Sequence, residues 1–202
     1  MKILLSTSLP LRPFFERLLP ASPHEVELLC FEEEMPALEL LEQQLARVTG
    51  CDAILLPDGA AILGETGLRA GSIPLVLPRV HNCVALLLGG ADRYRSLFER
   101  YQGGICWQTA GLAALLGSGA QEAYSCLCYL ADTQLGLRDT SVEAQATAKR
   151  YGWDFFEAET DLSLIERMLA GDWDTDAFLT VRPGEQVLPS YTRTLMEAAA
   201  CR

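Results

Sequence analysis

Short apolar runs alternate along this chain with longer stretches in which apolar residues recur every three or four positions, the pattern of strands interleaved with helices. Residues 2–6, 26–31, 53–56 and 74–77 read as four buried strands. Between them, 11–19 reads as a helix opened by Pro13. Residues 37–48 read as an amphipathic helix with Leu38, Leu41, Leu45 and Val48 on one face, stopped at Gly50. The third strand breaks at Pro57-Asp58-Gly59. After the fourth, 83–88 runs on as helix, and beyond Gly89-Gly90 a second helical run, 93–101, stops at Gly103-Gly104. A fifth strand falls near Cys106 and Trp107.

The second half repeats the theme. Residues 125–130 read as strand, 142–151 as a helix ended by Gly152, and 153–158 as strand. Then 162–170 reads as a helix ended by Gly171, and 177–181 as a strand before Arg182-Pro183-Gly184. Residues 2–58 and 125–185 both read β-α-β-α-β, with little residue identity between them. The fold class predicted is α/β: parallel sheets flanked by helices, as two Rossmann-like halves with a crevice between them. The halves divide as 1–110 and 111–202; with no linker rich in Pro, Ser or Gly, one compact domain is also compatible.

Composition narrows the setting. The chain has 202 residues, 50% hydrophobic and 21% charged, which is globular usage. A net charge of −11 repels phosphate backbones, and no basic stripe offsets it, so nucleic acid is not an expected partner. The N-terminal apolar run is short and soon meets Pro10, Pro13 and Glu16, unlike a signal peptide. No apolar stretch reaches the ~20 residues that span a bilayer, so no membrane partner is expected either. Seven cysteines, mostly within apolar runs, then read as reduced thiols of a cytoplasmic protein.

In open α/β sheets, ligands sit beyond the carboxyl ends of the strands. Asp58 and Gly59 follow the third strand there. Gly64-Glu65-Thr66-Gly67 could bring backbone N–H groups to an anion, but its spacing matches neither dinucleotide nor P-loop fingerprints, and a turn is its plainer use. The richer segment is Pro78-Arg79-Val80-His81-Asn82-Cys83. Asn82 is a candidate N-cap, Cys83 a thiol whose pKa a helix N-terminus and Arg79 would lower, and His81 the one well-placed imidazole beside His24. His81 and Cys83 could also both hold a metal. A hydrogen-bonded turn histidine and a small core cysteine account for the same residues equally well.

Other motifs carry less. Cys126 and Cys128 alternate on one strand and project to the same face as buried side chains. Trp153 and Trp173 suit packing of helices on a sheet. Arg182 ends the last strand, on the edge expected for a ligand, although Arg182-Pro183-Gly184-Glu185 also reads as a turn.

The segment IPLVLPRVHNCVALLLGG at 73–90, with Asp92-Arg93-Tyr94 and the stretch 173–185, resembles the uncharacterised domain of unknown function 1638 family. The resemblance covers nearly the whole chain, and PRVH-x-C is its most specific part. The family occurs in archaea and bacteria, and its genes often lie near corrinoid-dependent methyltransferases and other one-carbon genes, which implies a context rather than an activity. Family members commonly carry further cysteines at the ends of the first and third strands. Those positions here are Thr7 (or Ser6) and Ala61, and Asn82 stands where Asp is common. If the family's cysteines and histidine ligate a metal or cluster, this chain has lost part of the set. Zinc and iron–sulfur centres take three or four protein donors, and Cys106 or Cys128 would serve only if the fold brings them close.

Three functions follow, in this order. The first is a ligand-binding or accessory protein of corrinoid-linked one-carbon (methyl-group) metabolism. It would hold a small anionic or metal-bearing ligand with Asp58, Gly59, Arg79, Asn82 and Arg182; a metal or corrinoid would be its cofactor, and a corrinoid protein or methyltransferase its partner. The second is an enzyme, a transferase or lyase, with Cys83 as nucleophile or metal thiolate and His81 as acid/base. The third is a degenerate metal-site member acting as a structural partner.

Overall fold

Strands and helices alternate through most of the chain in the computed structural model, which describes residues 1–31, 38–110 and 120–201. In chain order the elements are β1 (Lys2–Thr7), α1 (Arg12–Leu18), β2 (Glu25–Cys30), α2 (Leu38–Ala46), β3 (Ala53–Leu55), β4 (Leu68–Arg69) and β5 (Leu75–Pro78). Then come α3 (Cys83–Leu87), α4 (Ala91–Arg100), β6 (Ile105–Thr109), α5 (Ala120–Ala123), β7 (Cys126–Ala131), α6 (Ser141–Tyr151), β8 (Asp154–Glu159) and α7 (Ser163–Ala170). The chain closes with β9 (Phe178–Val181), β10 (Glu185–Pro189) and β11 (Met196–Ala200). Residue 37, expected to open the second helix, lies outside the described residues.

The protein is thus α/β, with two parallel arrays flanked by helices. One sheet has the order β2-β1-β3-β5-β9, and a second has β6-β7-β8. β2, β1, β3 and β5 run parallel, so their carboxyl ends, Cys30, Thr7, Leu55 and Pro78, share one edge. β9 joins β5 antiparallel, with Phe178 beside Pro78 and Val181 beside Leu75. Residues 125–185 do run β-α-β-α-β, as β7, α6, β8, α7 and β9, but the final strand crosses back to the first sheet instead of extending the second. Periodicity marks a strand but carries no information about which sheet receives it. A small antiparallel sheet, β11-β10-β4, was not foreseen, because β4 has two residues and Met196–Ala200 is alanine-rich.

Period-two alternation sorts the strand residues into separate cores. Ile3, Leu5, Leu55 and Val76 face the same core as α1, α3 and α7, and Ile105, Cys128 and Leu130 of the second sheet join it from the other side. Leu4, Ile54, Leu75 and Leu77 face the opposite way, against Leu41 and Leu45 of α2 and Val187 and Met196 of the small sheet. On the outer face of the second sheet Cys106, Leu127 and Tyr129 pack on Ala144, Ala148 and Trp153. Leu5 is fully buried in the shared core, and Leu5→Ala is expected to cost about 2–5 kcal/mol. Trp153 packs as expected, and Trp173 lies against the shared core with its indole N–H donating to Met168 O at 2.7 Å. No described helix is long and apolar enough to cross a membrane.

Candidate functional site

Two junctions dominate the carboxyl edge of the first sheet. At the end of β3 the chain turns inward. Asp58 is 2% exposed and its carboxylate accepts from Ser8 N at 3.0 Å, Thr7 Oγ1 at 3.3 Å and Ser8 Oγ. Burial pushes its pKa up, opposed by those hydrogen bonds. Gly59 follows at φ +64°, where a Cβ would meet Val80 O at 2.4 Å, so only glycine lets this turn close on the end of β5. Asp58 and Gly59 therefore tie strand ends together. Gly67 plays a like part: it takes φ +77°, and a Cβ there would strike Val187 O, so the 64–67 stretch is a turn packed on β10.

At the end of β5 the chain turns outward. Arg79 N donates to Ala177 O at 2.8 Å, fixing β5 against the approach to β9. Asn82 caps α3, its Oδ1 accepting from Ala85 N at 3.0 Å, as its position before the apolar run predicts. Its Nδ2 donates to the Tyr94 hydroxyl at 3.2 Å, which joins α3 to α4. The His81 ring lies 5.1 Å from that of Tyr94, and Tyr94 continues to Trp107 at 5.7 Å. His81 Nδ1 is buried with no hydrogen-bond partner among the described residues. Burial, and then the charge of Arg95, lower the His81 pKa and favour the neutral imidazole at neutral pH.

Cys83 is half-buried and packs against the shared core. It is the first residue of a helix of five residues, directly after the Asn82 cap.

Outside this junction two surface grooves meet. The first, ≈ 590 Å³, is lined by His81, Ala60, Arg95, Glu99 and the hairpin between β10 and β11, including Tyr191 and Arg193. The second, ≈ 580 Å³, shares Arg95 and Arg193 and adds Arg79, Arg167, Asp92, Asp176 and Gly89-Gly90 at the start of α4. Four guanidinium groups thus face two carboxylates in a protein of net charge −11. Their engagement differs. Arg79 Nη1 donates to Thr194 O at 3.0 Å and to Met196 O, which moors the hairpin tip to β5. Arg167 donates to Asp172 at 2.8 Å and Thr175 at 2.9 Å, and Arg95 pairs with the exposed Asp92 at 3.0 Å. Arg193 has no ion pair among the described residues.

The structure therefore brings Arg79, His81, Asn82 and Cys83 into one junction, with Asp58 and Gly59 buried beneath the same edge. It leaves Arg182 out. Because β9 is antiparallel, the end of that strand lies beside Leu75, at the amino edge of the sheet. Arg182 there belongs to the turn into β10, with Glu185 N donating to Arg182 O at 2.9 Å. Arg95, Arg167, Arg193, Tyr94 and Tyr191 were missed as site residues. Arg95 lies three residues after Asp92, spacing that reads as a solvated helix pair, and the 190–195 hairpin tip has no period to read.

None of the seven cysteines is in a disulfide. Among the described residues no three His, Cys, Asp or Glu side chains come close enough to hold a metal ion. Cys106 faces the outer core of the second sheet. Cys128, on the inner face, is fully buried, and its thiol is pushed up to about 12, chiefly by desolvation. The donors among the described residues do not fit a zinc or iron–sulfur centre, which needs three or four ligands. Each groove has the size of a site for one small molecule.

Fold and site together define an α/β protein with two connected, arginine-lined grooves at the carboxyl edge of a mixed sheet. By sequence, the chain belongs to the family described as protein of unknown function (DUF1638), whose model matches residues 39–169. The match takes in nearly all of α2 and the elements from β3 to α7, with His81, Asn82, Cys83, Arg95 and Arg167; β1, α1, β2 and the strands from β9 onward lie outside it. No curated protein and no solved structure matches the chain.

Proposed function

We propose that this protein binds a small anionic metabolite and acts as an accessory protein of corrinoid-linked one-carbon metabolism, with a corrinoid protein or methyltransferase as its partner. The observation that carries the binding half is the convergence of Arg79, Arg95, Arg167 and Arg193 on one groove of an acidic protein. A guanidinium matches carboxylate or phosphate oxygens with paired donors. Arg79 positions the hairpin, Arg95 and Arg193 stand between the two grooves, and Arg193 is unencumbered by a carboxylate of its own among the described residues. The metabolic half rests on the genes that accompany the family.

Isothermal titration with inorganic phosphate, tetrahydrofolate and cyanocobalamin tests the binding half. Saturable binding of phosphate or the carboxylate-bearing folate, weakened about ten- to hundredfold by Arg193→Ala, is expected, since a charged hydrogen bond is worth about 1.5–3 kcal/mol. No binding of any anion would overturn it. A binding assay against a corrinoid protein or methyltransferase from the same host tests the partner.

A catalytic reading has one observation of its own. Burial lowers the His81 pKa, and Nδ1 is unpartnered among the described residues, two positions from Cys83. In that reading His81 moves a proton and Cys83 supplies the thiolate of a transferase or lyase. Cys83→Ala would then abolish turnover while leaving the fold intact, and retained turnover would remove it.

A further inference from the structure

We infer that the ligand is bipartite: a phosphate or carboxylate held in the arginine groove, joined by a short link to a planar ring lodged in the neighbouring groove between Tyr191 and His81. This deepens the anion-binding reading and rests on it.

The two grooves differ in chemistry but meet at the same two residues, Arg95 and Arg193. One side offers guanidinium groups. The other offers the ring of Tyr191, fully exposed at 102%, together with Leu195 and the imidazole of His81. A fully exposed tyrosine ring gains most when a flat partner covers it, and aromatic faces stack on any planar ring without demanding its hydrogen-bond pattern.

The platform that presents these groups is built rather than loose. Ser190, Thr192 and Thr194 link their hydroxyls at 2.9 Å and 2.7 Å, Ser190 N donates to Leu195 O at 2.8 Å, and Arg79 holds the carbonyls of Thr194 and Met196. Leu195 takes φ +62°, a conformation that a leucine adopts only when its surroundings impose it. The backbone that carries Tyr191 and Arg193, two residues apart on one tip, is thus held in place. A ligand touching both has its ring and its charge separated by only a few bonds.

The experiment compares inorganic phosphate, phenyl phosphate, benzoate and benzyl alcohol on wild-type protein and on Tyr191→Ala and Arg193→Ala variants, with circular dichroism confirming the fold of each. Phenyl phosphate is expected to bind about tenfold more tightly than inorganic phosphate. Tyr191→Ala should bring that ratio close to one, and Arg193→Ala should weaken both anions together. Comparison of benzoate with phenyl phosphate shows which anionic group the site prefers. Equal affinities for phosphate and phenyl phosphate, unmoved by Tyr191→Ala, would overturn the bipartite ligand and leave the anion site standing. Benzyl alcohol binding as well as phenyl phosphate, or no anion binding at all, would overturn both.

Discussion

Two ionisable side chains stand at the carboxyl edge of one sheet, and burial drives both toward their neutral forms by different routes. Asp58, after β3, is enclosed and its carboxylate is met by donors from Ser8 and Thr7. His81, after β5, is half-exposed, lines a groove, and keeps one ring nitrogen without a partner among the described residues. The first arrangement is what a fold does with a polar group it uses as a rivet. The second presents an aromatic ring to a groove beside cationic side chains, which is what a binding site needs. Proximity to the ligand edge therefore does not by itself make a residue functional; what matters is whether its polar atoms are already spoken for.

The largest expected effect lies on the architectural side. Asp58→Ala leaves Ser8 N, Ser8 Oγ and Thr7 Oγ1 buried without their acceptor, and a loss of about 3–5 kcal/mol is expected in urea denaturation. A loss below about 1 kcal/mol would show that the carboxylate is no rivet. Next comes Arg79→Ala, which removes two charge-assisted bonds to the hairpin carbonyls. It should cost about 1–3 kcal/mol and speed amide exchange in residues 190–196 ahead of the sheet; unchanged exchange there would mean the tip is held by its own hydroxyls.

The pH dependence sharpens the contrast, because the two groups work in opposite directions. The Asp58 pKa is raised in the folded protein, so its contribution is full below the ordinary value of 3.8 and is lost as pH rises through the folded pKa. The His81 pKa is lowered, so its contribution is full above 6.5 and is lost as pH falls through the folded pKa. Relative to Asp58→Asn, wild-type stability should decline from about pH 4 upward; relative to His81→Gln, it should decline from about pH 6.5 downward. Thermal melts across pH 3–8 check both, and parallel curves would refute both assignments.

A smaller effect concerns the thiols. Cys126 and Cys128, raised to about 11 and about 12 mainly by desolvation, should resist a thiol reagent in the folded protein while the exposed Cys201 reacts. The smallest is Arg182→Ala, with anion affinity unchanged and stability within about 0.5 kcal/mol, because that residue lies at the opposite edge.

Much of this was legible in the sequence where local physics decides. Asn82 could be named as a cap because an asparagine before an apolar run has few better uses, and the parallel strands announced themselves by unbroken apolar runs such as 53–56 and 74–77. The destination of β9 was not legible, because a strand's period says nothing about its partner, and the misplacement of Arg182 followed from that. The arginine groove was hidden for a related reason. Arg79, Arg95, Arg167 and Arg193 come from four separate stretches and meet only in three dimensions, so each taken singly reads as a solvated surface charge.

The central claim is that those arginines hold an anion. Its most direct measurement is the NMR signals of the arginine Nε–Hε groups during a titration with inorganic phosphate. Saturable shifts at Arg95 and Arg193 with one common dissociation constant, and none at Arg182, are the predicted result. Shifts of equal size at all arginines that never saturate, or no shift at Arg95 and Arg193, would contradict it.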